Sequence, residues 1–238
     1  NKNAGKKGLN KKKPEKKKRG MFEFLKIPEG AKVRTAFPPG PEKYPHIGHA
    51  KACILNYMLA EEYNGEFILR FEDTNPELVK AEFYDIMLEN LGWLGVKWTE
   101  LHYASDHMAE FLNAAETLIK NEKAYMCFCS SEQIKKSRMN SIPCKCRKKS
   151  AKENLVDWKK FPDMNEGEAI LRLKIDLEHK NSTMRDPGIF RTINAPHARH
   201  GTKYRIWPMY DLQTSVMDGI NKINYRMRSK EFEMRNEL

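Results

Sequence analysis

Long apolar runs are missing from this chain of 238 residues, and none approaches the roughly 18 apolar residues that a membrane-crossing helix needs. The Lys-rich start has no apolar stretch either, which excludes a secretory signal of ordinary form. Cysteine is scarce, with five in all, and four of them fall between residues 127 and 146. That clustering argues against a disulfide framework and for a reducing, cytoplasmic setting with a metal site. No internal repeat occurs. The sequence does not open on Met and stops at "RNEL" without a closing pattern, so it is expected to be part of a longer polypeptide.

What is present is enough for a sizeable core: 40% of residues are apolar and 10% aromatic. The formal charge of +11 is unevenly spread. Residues 1–19 hold nine Lys and one Arg against one Glu, a charge of +9, which leaves about +2 for the rest. A segment so polar and so charged is expected to be disordered (1–20), either as a solvated tail or as a non-specific attractor of nucleic acid.

Periodicity beyond the tail alternates between strand and helix. "AKVRTAF" (31–37) reads as a strand, and apolar residues at 47, 50, 54, 57 and 58 predict a helix that stops at Asn64-Gly65. "EFILRFED" (66–73) reads as a second strand, with Phe67, Leu69 and Phe71 on one face and Ile68, Arg70 and Glu72 on the other. Helices are predicted from about 76 to 92 and from about 105 to 120. The alternation implies a parallel sheet with crossover helices. Residues from about 125 to 200 read as an irregular insertion. "GTKYRIWPMYDLQTSVMDGI" (201–220) reads as a strand returning to that sheet and feeding a helix.

Two histidines, His46 and His49, fall where the first strand gives way to the first helix. Unpaired backbone N–H groups and the positive end of the helix dipole make such a place an anion site. Imidazoles there can donate to phosphate oxygens, and Gly48 permits close approach.

The stretch "FPPGPEKYPHIGHAKACILNYMLAEEYNGEFILRFEDTNPE", followed by "MRDPGIFR" and "GTKYRIWPMYD" in the same order, resembles the class I glutamyl- and glutaminyl-tRNA synthetases of archaeal and eukaryotic type. The resemblance covers about residues 31–238. It implies an α/β, Rossmann-like nucleotide-binding domain (21–123, resuming incompletely at 201–238) with an inserted acceptor-stem-binding, zinc-containing subdomain (124–200). It also implies activation of an amino acid by ATP with Mg²⁺, then transfer to tRNA. Pro39, His46, Gly48 and His49 would hold ATP, with the two histidines catalytic. Glu72 would read the substrate ammonium, while Tyr210 and Arg228, eighteen residues apart, would line the amino-acid pocket. A guanidinium at Arg228 suits a γ-carboxylate and favours L-glutamate over glutamine.

Three positions depart from the family pattern: Ala36 stands where an arginine is usual, Gly40 where an acid is, and Lys43 where a glycine is. Arg34 lies two residues before Ala36 on the same strand face and is expected to cover part of the gap. The family's lysine-bearing ATP loop is expected beyond Leu238, in further sequence or a second chain, together with the anticodon domain. The isolated chain is therefore expected to form little adenylate. Competing readings are a tRNA acceptor-binding module without activation activity, a glutaminyl enzyme, and a short paralogue that modifies a tRNA base.

"MCFCSSEQIKKSRMNSIPCKCRKKS" places Cys127, Cys129, Cys144 and Cys146 as two C-x-C pairs able to close a tetrahedral S₄ site. Four protein ligands leave no open position, so the metal would be structural. Separate buried thiols or a redox pair are the alternatives. Arg147, Lys148 and Lys149 beside the cluster read either as a tRNA phosphate contact or as a solvated basic loop, and Cys53 reads as core.

Overall fold

The computed structural model describes residues 20–238, so the expected Lys-rich tail lies outside the described residues but for Gly20. The chain divides into two units after Ala31. In the first, Glu23–Leu25 form one 3-10 turn that ends on Lys26 in the left-handed region. The second, Lys32–Leu238, carries all the described strands and α-helices.

Strands β1 (Arg34–Phe37), β2 (Glu66–Phe71) and β3 (Glu100–Tyr103) form a parallel sheet in that order. Helix α1 (Ile47–Glu62) connects β1 to β2, and α2 (Ala81–Trp93) connects β2 to β3. A parallel strand covered on both faces is buried along its length, and β2 is buried from Phe67 to Phe71, the charged Arg70 included. One face supplies Phe67, Leu69 and Phe71 to a core with Phe37, Tyr84 and Met87. Cys53 is fully buried in the same core, where burial pushes its thiol up to about 12.

Two expected helices start late, for local reasons. The carbonyl of Asn75 is taken by the N–H groups of Leu78 and Val79, a turn that delays α2 to Ala81. A 3-10 turn at Ala104–His107 similarly delays α3 to Met108–Lys120.

The region read as irregular holds a second sheet. Strands β4 (Ala124–Cys127), β5 (Ile170–Leu173), β6 (Gly188–Thr192) and β7 (Ile206–Pro208) pair antiparallel in that order. Helices α4 (Ser131–Asn140) and α5 (Ala151–Lys160) lie within it in sequence, and α6 (Tyr210–Ile220) follows β7. Helix α3 presents Met108, Phe111, Ala115 and Ile119 at helical spacing to a core with Trp158, Phe190, Trp207 and Met217.

The strand expected to return to the parallel sheet therefore does not. Ile206 and Trp207 are buried against β6, and the chain turns into α6 directly after Pro208. The return comes later, without a strand. The N–H groups of Asn224 and Tyr225 both donate to the carbonyl of Arg34, and Asn224 Oδ1 accepts from Arg34 N–H at 2.8 Å. Asn56 on α1 clasps the backbone of Met227, donating at 3.0 Å and accepting at 2.9 Å. Among the described residues no helix is long and apolar enough to cross a membrane.

Candidate active site

The loop from Pro38 to Pro45 links the carboxyl end of β1 to α1, and its bends come from prolines at 38, 39, 41 and 45. It is tied to the end of β2, because the carbonyl of Pro39 accepts from Glu72 N–H at 2.9 Å. Pro39 and Glu72 thus sit together at the carboxyl edge of the sheet, where open parallel sheets bind ligands.

His46 is the N-cap of α1 and its Nδ1 accepts from Gly48 N–H at 3.1 Å. His49, three residues on, accepts at Nδ1 from His46 N–H at 3.2 Å. The two imidazoles stand where a serine and a glutamate stand in a common capping box. Their rings lie 4.0 Å apart between centroids. A Cβ at Gly48 would fall 2.9 Å from His46 Cε1, so the missing side chain is what lets the ring fold over the helix start. With Nδ1 engaged as an acceptor on both rings, the neutral tautomer carries its proton on Nε2. Burial, and then the positive charges of His46 and Lys43, lower His49 to about 4, so its ring is neutral near pH 7. The helix start thus offers imidazole N–H donors, while the backbone N–H groups of His46, Gly48, His49 and Ala50 are bonded within the turn.

A cavity of about 370 Å³ opens next to this loop. Gly40 and Glu42 line it from the β1–α1 loop, Glu72 and Thr74 from the end of β2, Arg191 from β6 and Tyr210 from the start of α6. Burial raises the Glu42 carboxyl, with the nearby Glu72 adding to the effect and Lys43 and Arg191 opposing it. Glu72 is fixed by hydrogen bonds from Arg70 and Thr214, each at 3.2 Å, and by an ion pair with Arg226 at 3.7 Å. Asp218 on α6 shares both guanidinium groups, at 2.9 and 2.8 Å. Next along the chain, the buried Asp73 accepts from Tyr84 Oη, Ser105 N–H and Ser105 Oγ, while His197 donates to the Asp73 carbonyl at 2.6 Å. These bonds lock the segment that carries Glu72 and Thr74 to both sheets.

Tyr210 also borders a neighbouring pocket of about 180 Å³, and Arg228 lines that pocket rather than the larger cavity. Arg228 donates to Asn236 at 3.0 Å, and the Tyr210 ring stacks on Phe232. The structure therefore brings Glu72 and Tyr210 to one cavity, and Tyr210 and Arg228 to the adjoining one.

Arg34 is not brought there. Its guanidinium is held by Glu66 and Glu100, and its Nε donates to the Asn221 carbonyl at 2.5 Å, all at the opposite, amino-terminal end of the sheet. Two carboxylates at the starts of β2 and β3 outcompete the reach towards Ala36, which is itself fully buried. Sequence reasoning passed over Arg191, Arg226 and Asp218. The signal for Arg191 was present, as the last residue of "MRDPGIFR".

The four clustered cysteines are free thiols whose sulfurs all lie within 4.8 Å of one another. A tetrahedral zinc–thiolate centre, with bonds of about 2.3 Å, spaces its sulfurs roughly 3.8 Å apart, and Cys127 and Cys144 stand at 3.9 Å. The donor set fits such an ion. Burial tends to raise Cys144, but bonds from the Arg147 N–H and the neighbouring thiols hold it below the usual thiol range. In the adjoining basic run, Arg147 pairs with the buried Asp186 and Lys149 with Asp157. Among the described residues Lys148 is the one member of that run without a partner.

A family model described as tRNA synthetases class I (E and Q), catalytic domain, matches residues 32–238. The glutamate–tRNA ligase of Korarchaeum cryptofilum (strain OPF8) is 42% identical over 218 residues, which span 86% of this chain and 38% of that protein. The glutamine–tRNA ligase of Saccharomyces cerevisiae is 41% identical over 228 residues, 91% of this chain and 28% of that protein. A crystal structure of glutamate–tRNA synthetase from Elizabethkingia anophelis superposes with a TM-score of 0.63 at 19% identity, covering 85% of this chain and 45% of that one. The chain thus spans less than half the length of these relatives.

Proposed function

The chain belongs to the catalytic-domain family of the class I tRNA synthetases for glutamate and glutamine, and from that premise we propose that it is the catalytic-domain portion of a glutamate–tRNA ligase. The observation that carries the reading is the imidazole pair at the start of α1, joined through one short loop to a cavity that holds Glu72 and Tyr210.

ATP phosphates dock at the helix start on the Nε2–H donors of His46 and His49, with Gly48 and the backbone beside them and Mg²⁺ in attendance. L-Glutamate enters the cavity with its ammonium on Glu72, a carboxylate pre-oriented by Arg70, Arg226 and Thr214. Its α-carboxylate attacks the α-phosphorus, the bond to the leaving pyrophosphate breaks, and glutamyl-adenylate forms. The terminal ribose hydroxyl of tRNA then takes the glutamyl group and releases AMP. Donors placed at the developing phosphate charge lower the barrier, and losing one such donor costs roughly 3–4 kcal/mol.

The γ-carboxylate points past Tyr210 towards Arg228. The part of the chain around the antiparallel sheet (124–200) grips the acceptor stem, and the cysteine site holds a structural Zn²⁺ there. The second ATP loop and the anticodon domain come from further sequence or a further chain, in the cytoplasm. ATP–pyrophosphate exchange with L-glutamate, run with and without tRNA on the protein that carries this chain, tests the reading. Exchange that needs L-glutamate and is lost in His49→Ala supports it. A protein that binds tRNA but exchanges nothing in its presence identifies an acceptor-binding module instead.

A further inference from the structure

The cavity contains one uncommitted guanidinium. Every other arginine from Arg34 to Arg235 donates a side-chain hydrogen bond to a protein acceptor. Among the described residues Arg191 donates none, although it lies on β6 between the buried Phe190 and Thr192. Alternation along the strand turns Arg191 away from the core that Phe190 enters, and it lines the cavity with Glu42 and Glu72. Five N–H donors in a rigid fork suit a carboxylate.

The opposite wall is acidic in an unusual way. Gly40 has no side chain, and the space a Cβ would take there is bounded by Glu42, whose Cγ and Cδ lie 3.4 Å from that point. The Glu42 carboxyl thus folds back over Gly40, returning an acid to a place where residue 40 offers none. One cation faces two carboxylates, a pattern complementary to a zwitterion. The other candidate cation, Arg34, is bound to Glu66 and Glu100 at the far end of the sheet.

We propose that Arg191 grips the α-carboxylate of the amino-acid substrate while Glu42 and Glu72 flank its ammonium. The assignment rests on the amino-acid reading of the cavity. It places the substrate side chain towards Tyr210, the residue shared with the pocket that holds Arg228.

Calorimetric titration of the full chain, in the presence of tRNA, with L-glutamate and with its α-amide, L-isoglutamine, tests this. Arg191→Ala should weaken L-glutamate binding at least tenfold, and Arg191→Lys should restore part of the loss. The α-amide lacks the anionic group in question, so the same substitution should change its affinity by less than twofold. Melting temperature should change by no more than a degree or so, since Arg191 has no hydrogen-bonded partner to lose and only a long-range attraction to Glu42. Equal binding of L-glutamate by wild type and Arg191→Ala overturns the assignment and leaves the cavity reading intact. Equal loss for both ligands overturns the α-carboxylate role. A wild-type chain that binds neither ligand overturns the cavity reading, and the assignment with it.

Discussion

At the residue scale, the histidine pair was legible because everything that shapes it is local. His46, Gly48 and His49 lie within four residues, so cap geometry follows from spacing alone. Arg34 was not legible, because its acidic partners stand 32 and 66 residues away and meet it only once the strands are in register. A titration follows from the lowered His49. In the free protein its imidazole resonances should move with a midpoint of about 4, and added ATP should shift that midpoint upward by supplying an anion. A midpoint near 6.5, unmoved by ATP, contradicts the site. The sign for stability is set by the same shift. The folded state prefers the neutral ring, so this contribution is complete above about 6.5 and is lost as pH falls towards 4.

Elements were legible where the hydrophobic period was clean, as in α1 and β2, and failed where pairing is decided at long range. The β3 segment "ELHY" is half-buried and alternates polar and apolar over only four residues, with Leu101 and Tyr103 towards the core. That run is too short to mark a strand without its pairing with Ile68–Phe71. In "IWP" the strand character was plain, but nothing local chooses between two sheets. Two substitutions probe how α1, β2 and α6 are held. A Cβ at Gly65 would overlap the Val33 carbonyl, a backbone atom that cannot swing aside. Gly65→Ala should therefore cost about 2 kcal/mol in denaturant unfolding. Arg70 is fully buried between Glu72, Asp218 and Asn221. Arg70→Met should cost about 3 kcal/mol, because it strands two partly buried carboxylates and the buried Asn221 Oδ1. It should also weaken L-glutamate binding, since Glu72 loses a partner that orients it. Unchanged unfolding midpoints for both variants would show that these contacts are not the ones holding β2 in place.

Across the whole molecule, the sequence predicted two architectures in one chain and located the cysteine cluster, but read the second architecture as irregular. Its strands are three to five residues long and are separated by helices and turns, which hides any regular period. The cluster lies at the end of β4 and in the turn before α5, so a metal there would tie the edge strand to the segment that follows. Metal analysis should find about one zinc per chain. A strong chelator should lower the melting temperature and speed amide exchange in β4 and β5 more than in β1 and β2. Full stability without metal would make the four sulfurs a set of packed thiols.

The account stands most directly on the joint between the α1 start and the cavity. Titration of the full chain with a non-hydrolysable glutamyl-adenylate analogue tests that joint at both ends. The analogue should bind with one site per chain, at least tenfold (about 1.4 kcal/mol) tighter than its glutaminyl counterpart. His49→Ala or Glu72→Gln should each weaken both analogues at least tenfold, while Arg228→Ala should abolish the glutamyl advantage. Equal affinity for the two analogues, or binding that survives both substitutions, would contradict the account.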